Sequence, residues 1–133
     1  MELGVAYYPE HHRPEAWPEH FEKLRAAGLK RIRVGEFAWS RIEPGRGQFD
    51  WDWLDRGIET AGDYGLDVVL CTPTACPPIW LVEEHPDILP VDRMGRRASF
   101  GARQHRCYNA PAYHEASRSV VSALGERYGK HPN

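Results

Sequence analysis

Two glutamates stand where a short apolar run gives way to turn-forming and aromatic residues. Glu10 closes the run Gly4-Val5-Ala6-Tyr7-Tyr8-Pro9-Glu10, and Glu36 follows Ile32-Arg33-Val34-Gly35. Carboxylates at strand ends can serve as general acids or bases. They can equally orient arginines and hold loops, and that plainer reading stays open for both. Arg33 and Glu36 are spaced to form a charge pair at the mouth of a strand, a common brace for a site. Arg103 lies in an extended stretch four residues ahead of Cys107. Its guanidinium carries fixed donors suited to vicinal hydroxyls or a carboxylate. It also reads as a solvated arginine in a loop that holds Arg93, Arg96, Arg97 and Arg106. Cys71 and Cys76 are spaced C-x4-C, a poor match to common zinc spacings. His11, His12 and His105 show no H-E-x-x-H spacing and read as loop residues. No Gly-rich phosphate loop, serine-nucleophile elbow or nucleotide fingerprint is present.

These residues need a scaffold, and the chain reads as alternating short strands and helices, the pattern of an α/β protein with a parallel sheet. The first strand runs from Leu3 to Tyr7. Trp17, Phe21 and Leu24 then make an apolar helical stripe that Gly28 ends. Arg31 to Val34 is the second strand, and Glu43 to Gly47 is turn chemistry of no further consequence. Asp50 or Asp52 caps the next helix, whose inner face is Leu54, Ile58 and Ala61, and Gly65 ends it. Asp67 to Cys71 is a third strand, apolar enough to be covered on both faces. A long loop rich in proline follows, and long ordered loops are usually functional. Its one expected helix is Ile79 to Glu84. Asn109 caps a last helix with Pro111 near its first position, running to about Tyr128, where Gly129 stops it. Its expected buried stripe is Tyr113, Ala116, Val120, Val121, Leu124 and Tyr128.

The 133 residues suffice for a core but not for a complete (β/α)8 barrel, which needs roughly 250. The expectation is an α/β chain of about three βα units, the N-terminal part of a TIM barrel, with residues 1–133 as one incomplete catalytic domain. Net charge is −2, from 17 basic and 19 acidic residues mixed along the chain, which argues against nucleic acid or an anionic membrane as partner. No apolar run approaches the ~18 residues of a membrane helix. No signal peptide is evident, so a cytoplasmic, reducing setting is expected for the 3 cysteines.

The run Ile32 to Pro44, taken with Gly4 to Glu10, Thr72 to Leu81, His85 to Asp92 and Gly101 to Cys107, resembles the β-galactosidases of glycoside hydrolase family 42. The segments occur in the family's order, and the similarity extends from near Leu3 to Asn133. The resemblance implies a retaining β-galactosidase that releases terminal β-D-galactosyl residues through a covalent intermediate. A related retaining enzyme on α-L-arabinopyranosides, or an inactive truncated fragment, are the alternatives. In the family the proton donor follows an Asn at the end of strand four and the nucleophile lies near strand seven, so no catalytic residue is expected in this chain. Glu10 and Glu36 then fall to supporting roles. Arg103 matches an arginine that binds galactose, and Glu36 and Trp39 are expected beside it as substrate-binding residues. Sugar rings present apolar C–H faces, so Trp39 and Trp80 could serve as walls, although most tryptophans are core anchors. Cys107 matches one ligand of a four-cysteine zinc site found in some members. Cys76 departs from the small or β-branched residue usual there. No cofactor is required, a structural zinc is a candidate in the full-length parent, and a homotrimer is implied.

Overall fold

A computed structural model describes residues 2–102 and 104–133. Arg103 lies outside the described residues. The chain divides into two compact units: Met1–Glu36 with Asp50–Cys71 and Pro132–Asn133, and Phe37–Phe49 with Thr72–His131.

The first unit is a βαβαβ assembly. Strands β1 (Gly4–Ala6), β2 (Arg31–Val34) and β3 (Asp67–Leu70) are parallel and ordered β1-β2-β3. Their register pairs Val5 with Ile32 and Ile32 with Val68. Gly4 is opposite Arg31, and a Cβ there would come within 2.9 Å of the Arg31 carbonyl oxygen. Helices α1 (Trp17–Ala26) and α3 (Asp52–Asp63) pack on each other, and α3 packs on β3. Trp17, Phe21, Leu54, Ile58 and Ala61 are buried with Ile32, Val34 and Leu66, as helical spacing requires, while Leu24 of the expected α1 stripe is only half-buried. Gly28 (φ +84°) ends the α1 segment in the left-handed region, where glycine carries no Cβ penalty.

Two expectations fail here. Neither Asp50 nor Asp52 caps α3, because Trp51 occupies the N-cap position and no side chain caps the helix. Nor is β3 covered on both faces, since Val69 is exposed. The register sets Val69 beside Arg33 and Ala6, on the sheet face that lines a concavity of about 280 Å³. In a closed barrel that alternate set of side chains fills the interior.

The second unit holds α2 (Trp39–Ile42), α4 (Ile79–Glu84) and α5 (Pro111–Tyr128). Its core is Trp39, Ile42, Leu81, Ile88, Tyr113, Ala116, Val120 and Leu124. Pro111 sits in the first turn of α5, but Ala110, with extended backbone, is the N-cap in place of Asn109. Val121 is exposed and Tyr128 only half-buried, so the buried stripe of α5 is narrower than expected. The long loop is ordered by side chains that reach its backbone. Arg97 Nη1 donates to the carbonyls of Pro86 (3.0 Å) and Leu89 (2.9 Å), Arg106 Nη1 to Ala75 (3.0 Å), and the Tyr113 hydroxyl to Thr74 (3.0 Å). Among the described residues no helix is long and apolar enough to cross a membrane.

Candidate functional site

The C-terminal ends of the parallel strands carry the polar residues singled out by the sequence, and this is the end where β/α barrels do their chemistry. Beyond β2 the chain turns at Gly35 (φ +85°). A Cβ there would stand 3.2 Å from Leu70 Cδ1 and 3.4 Å from the carbonyl oxygen of Cys71, so both backbone conformation and close approach to β3 call for glycine. The turn presents Glu36, whose side chain is 27% exposed. Its Oε2 lies 2.7 Å from Arg33 Nη2 as an ion pair, is shielded from solvent, and receives no aligned hydrogen bond.

Cys71 follows β3, and its N–H extends the ladder by donating to the Val34 carbonyl at 2.9 Å. Burial pushes its thiol above the ordinary value; the Arg33 guanidinium opposes that shift and the Glu36 carboxylate adds to it. At the end of β1, Tyr7 packs edge-on to Phe21 and stacks on His12. Its hydroxyl is 2.8 Å from His20 Nδ1, and burial pushes the phenol up to about 12. Glu10 lies in the 3₁₀ turn Pro9–His11 with Oε2 shielded from solvent. Trp17 Nε1 fixes that turn by donating to the Pro9 carbonyl at 3.2 Å.

In the second unit Trp39 is wholly buried and offers no face to a sugar. This corrects the expectation that it forms a binding wall: its ring is enclosed, tilted against Tyr113, and its Nε1 donates to Glu43 Oε2 at 2.8 Å. Glu43 is itself 2% exposed. Its Oε1 accepts the Gly47 N–H at 2.8 Å and its backbone carbonyl accepts Trp80 Nε1 at 2.9 Å. The Arg46 guanidinium covers the Trp80 ring at 5.1 Å and pairs with Glu84. The turn from Glu43 to Gly47, read from sequence as inconsequential, is thus a junction of buried polar contacts. The i,i+4 spacing of Trp39 and Glu43 was the available signal. His105, read as a loop residue, lies in a loop and is buried there, with Nε2 3.2 Å from the Pro77 carbonyl and Nδ1 against that of Ala102.

Cys107 is half-buried and free, and its N–H donates to the Ile88 carbonyl at 2.6 Å. Among the described residues no group of three or more His, Cys, Asp or Glu could hold a metal ion. A closed zinc site takes four ligands, so one thiol does not fit such a site by itself.

A family model described as beta-galactosidase, that of glycoside hydrolase family 42, matches residues 6–133. The chain belongs to glycoside hydrolase family 42. A beta-galactosidase from Thermus thermophilus is 54% identical over 127 residues, covering 96% of this chain and 20% of the relative. The beta-galactosidase BgaH from Haloferax lucentense is 45% identical over 133 residues, covering 100% of this chain and 20% of the relative. The crystal structure of a beta-galactosidase from the psychrophilic Marinomonas ef1 superposes with a TM-score of 0.95 at 46% identity, covering 99% of this chain and 20% of that one. The chain therefore spans about a fifth of the length of the curated relatives it matches. Its three parallel strands are the N-terminal part of the family 42 (β/α)8 barrel. Within that frame Glu36 and Cys71 stand at neighbouring strand ends, and the Glu43 junction belongs to the segments that follow β2 and β3.

Proposed function

We propose that this chain contributes part of the galactose pocket of a retaining β-galactosidase, within a polypeptide that carries the remaining barrel units. Such an enzyme hydrolyses terminal β-D-galactosyl residues with two carboxyl groups about 5–5.5 Å apart, one a proton donor and one a nucleophile. In this reading those groups belong to later strands, and the residues here bind and orient the sugar. The observation that carries the reading is Glu36: Arg33 fixes its carboxylate at the mouth of β2 through Oε2, while the side chain stays 27% exposed and keeps acceptor capacity for a sugar hydroxyl. Arg103, matched by resemblance to the family's galactose-binding arginine, is proposed to supply donors to a sugar hydroxyl. Contacts to non-reacting hydroxyls of this kind lower the barrier when they tighten in the transition state. Kinship with beta-galactosidases at 54% and 45% identity supports the substrate class.

The same proposal includes a cytoplasmic location, assembly as a homotrimer, and Cys107 as one of four ligands should the whole protein hold a structural zinc. The test is steady-state kinetics of the full-length polypeptide and its Arg103→Ala variant on a chromogenic β-galactoside and on the matching α-L-arabinopyranoside. The expected result is preference for the galactoside and a loss of roughly 10- to 100-fold in kcat/KM on substitution, the range for a charged hydrogen bond. Unchanged kinetics in a folded variant would remove Arg103 from the pocket, and preference for the arabinopyranoside would reassign the substrate.

A further inference from the structure

We propose that Glu43 is a positioning residue for the reaction, holding the segment after β2 and helix α4 in one working geometry through Trp39 and Trp80. The inference rests on the β-galactosidase reading and adds a residue to it. A carboxylate at 2% exposure is costly to bury unless hydrogen bonds replace its water. Here each oxygen has a donor: Trp39 Nε1 at Oε2 and the Gly47 N–H at Oε1, both at 2.8 Å. Helix α2 spans only Trp39–Ile42 and is too short to hold itself together. Glu43 therefore acts as its anchor, with one bond reaching back to the first residue of α2 and one reaching forward into the turn. The backbone of the same residue receives the Trp80 indole N–H from α4 at 2.9 Å. Arg46, from the turn that Glu43 closes, then covers the Trp80 ring and pairs with Glu84.

The two segments joined in this way follow the C-terminal ends of β2 and β3. Barrel enzymes build their sites from such segments. Displacements of about 1 Å in groups remote from the reacting atoms can cost about 100-fold in rate. Nothing in the arrangement gives Glu43 contact with a sugar, so its effect passes through the two indoles.

The experiment uses the full-length polypeptide with Glu43→Gln, Trp39→Phe and the double variant. kcat and KM are measured on a chromogenic β-galactoside at a temperature well below each variant's Tm. Glu43→Gln should lower kcat by about 10- to 100-fold with a smaller change in KM. Trp39→Phe keeps a ring and loses the N–H, and should lower kcat in the same sense. The double variant should lose no more than Glu43→Gln alone, as coupled partners do. A lowered Tm with unchanged kcat would make Glu43 purely structural and overturn the proposal, and additive losses would overturn the route through Trp39. If Glu43→Gln does not fold, Trp39→Phe decides: a reduced kcat supports the proposal and an unchanged one overturns it. Wild-type protein without β-galactoside hydrolysis would instead defeat the reading on which the inference rests.

Discussion

Arg33 Nη2 and Glu36 Oε2 are 2.7 Å apart, so the last cation of β2 is tied to the first acid beyond it. The pair is spaced i,i+3 across a glycine turn, and it places a carboxylate at the strand mouth without a helix to present it. Its effect extends to the Cys71 thiol at the adjacent strand end, which feels both charges.

That thiol reports on the pair. Burial raises its pKa, Arg33 lowers it and Glu36 raises it. Arg33→Ala should therefore push the pH midpoint of Cys71 alkylation upward, and Glu36→Gln should push it downward. Peptide-resolved alkylation rates between pH 7 and 11 read both shifts. Equal midpoints in the three proteins would mean that the pair and the thiol are not electrostatically coupled.

Gly35→Ala should destabilise the fold by about 1–2 kcal/mol, the cost of a left-handed backbone for a residue with a Cβ. The added atom also meets Leu70 Cδ1 at 3.2 Å, so relief requires movement of the turn that bears Glu36. Urea unfolding midpoints measure the first effect. A variant as stable as wild type would show that the turn accepts another conformation.

Tyr7 predicts an alkaline limb of stability. Burial raises its folded-state pKa from 10.0 to about 12. Below pH 10 the phenol is neutral in both states and its contribution is whole. As pH rises from 10 towards 12 the unfolded chain ionises first, and stability falls. Tyr7→Phe should lose less stability than wild type between pH 9 and pH 11 in thermal melts. Parallel losses in both proteins would contradict the buried placement of Tyr7.

Much of this fold is legible in the residues, because period and backbone chirality leave local marks. Trp17 and Phe21 on α1, and Leu54, Ile58 and Ala61 on α3, are buried as their helical spacing requires. Gly28 and Gly65 have the positive φ that a helix stop suggests. Caps were less legible, since capping depends on the backbone entering the helix and not only on residue type. Trp51 and Ala110 hold the positions that Asp50 or Asp52 and Asn109 were expected to fill. At the candidate site the Arg33–Glu36 pair followed from proximity in sequence. Glu43 did not, because one of its bonds comes from Trp80, 37 residues away, and a buried carboxylate looks in sequence like any turn glutamate. Trp39 is equally ambiguous in sequence: aromatic residues suit a sugar or a core equally well, and its burial decides for the core.

In the proposed function these residues bind and orient a galactoside while the reacting carboxylates lie elsewhere in the barrel. The most direct test sets the purified 133-residue chain beside the full-length polypeptide in one assay on a chromogenic β-galactoside. Turnover by the full-length polypeptide and none by the chain alone is the expected result, because joint loss of acid and nucleophile removes nearly all rate acceleration. Turnover by the isolated chain, abolished by Glu10→Gln or Glu36→Gln, would contradict it and put the catalytic pair at the ends of β1 and β2.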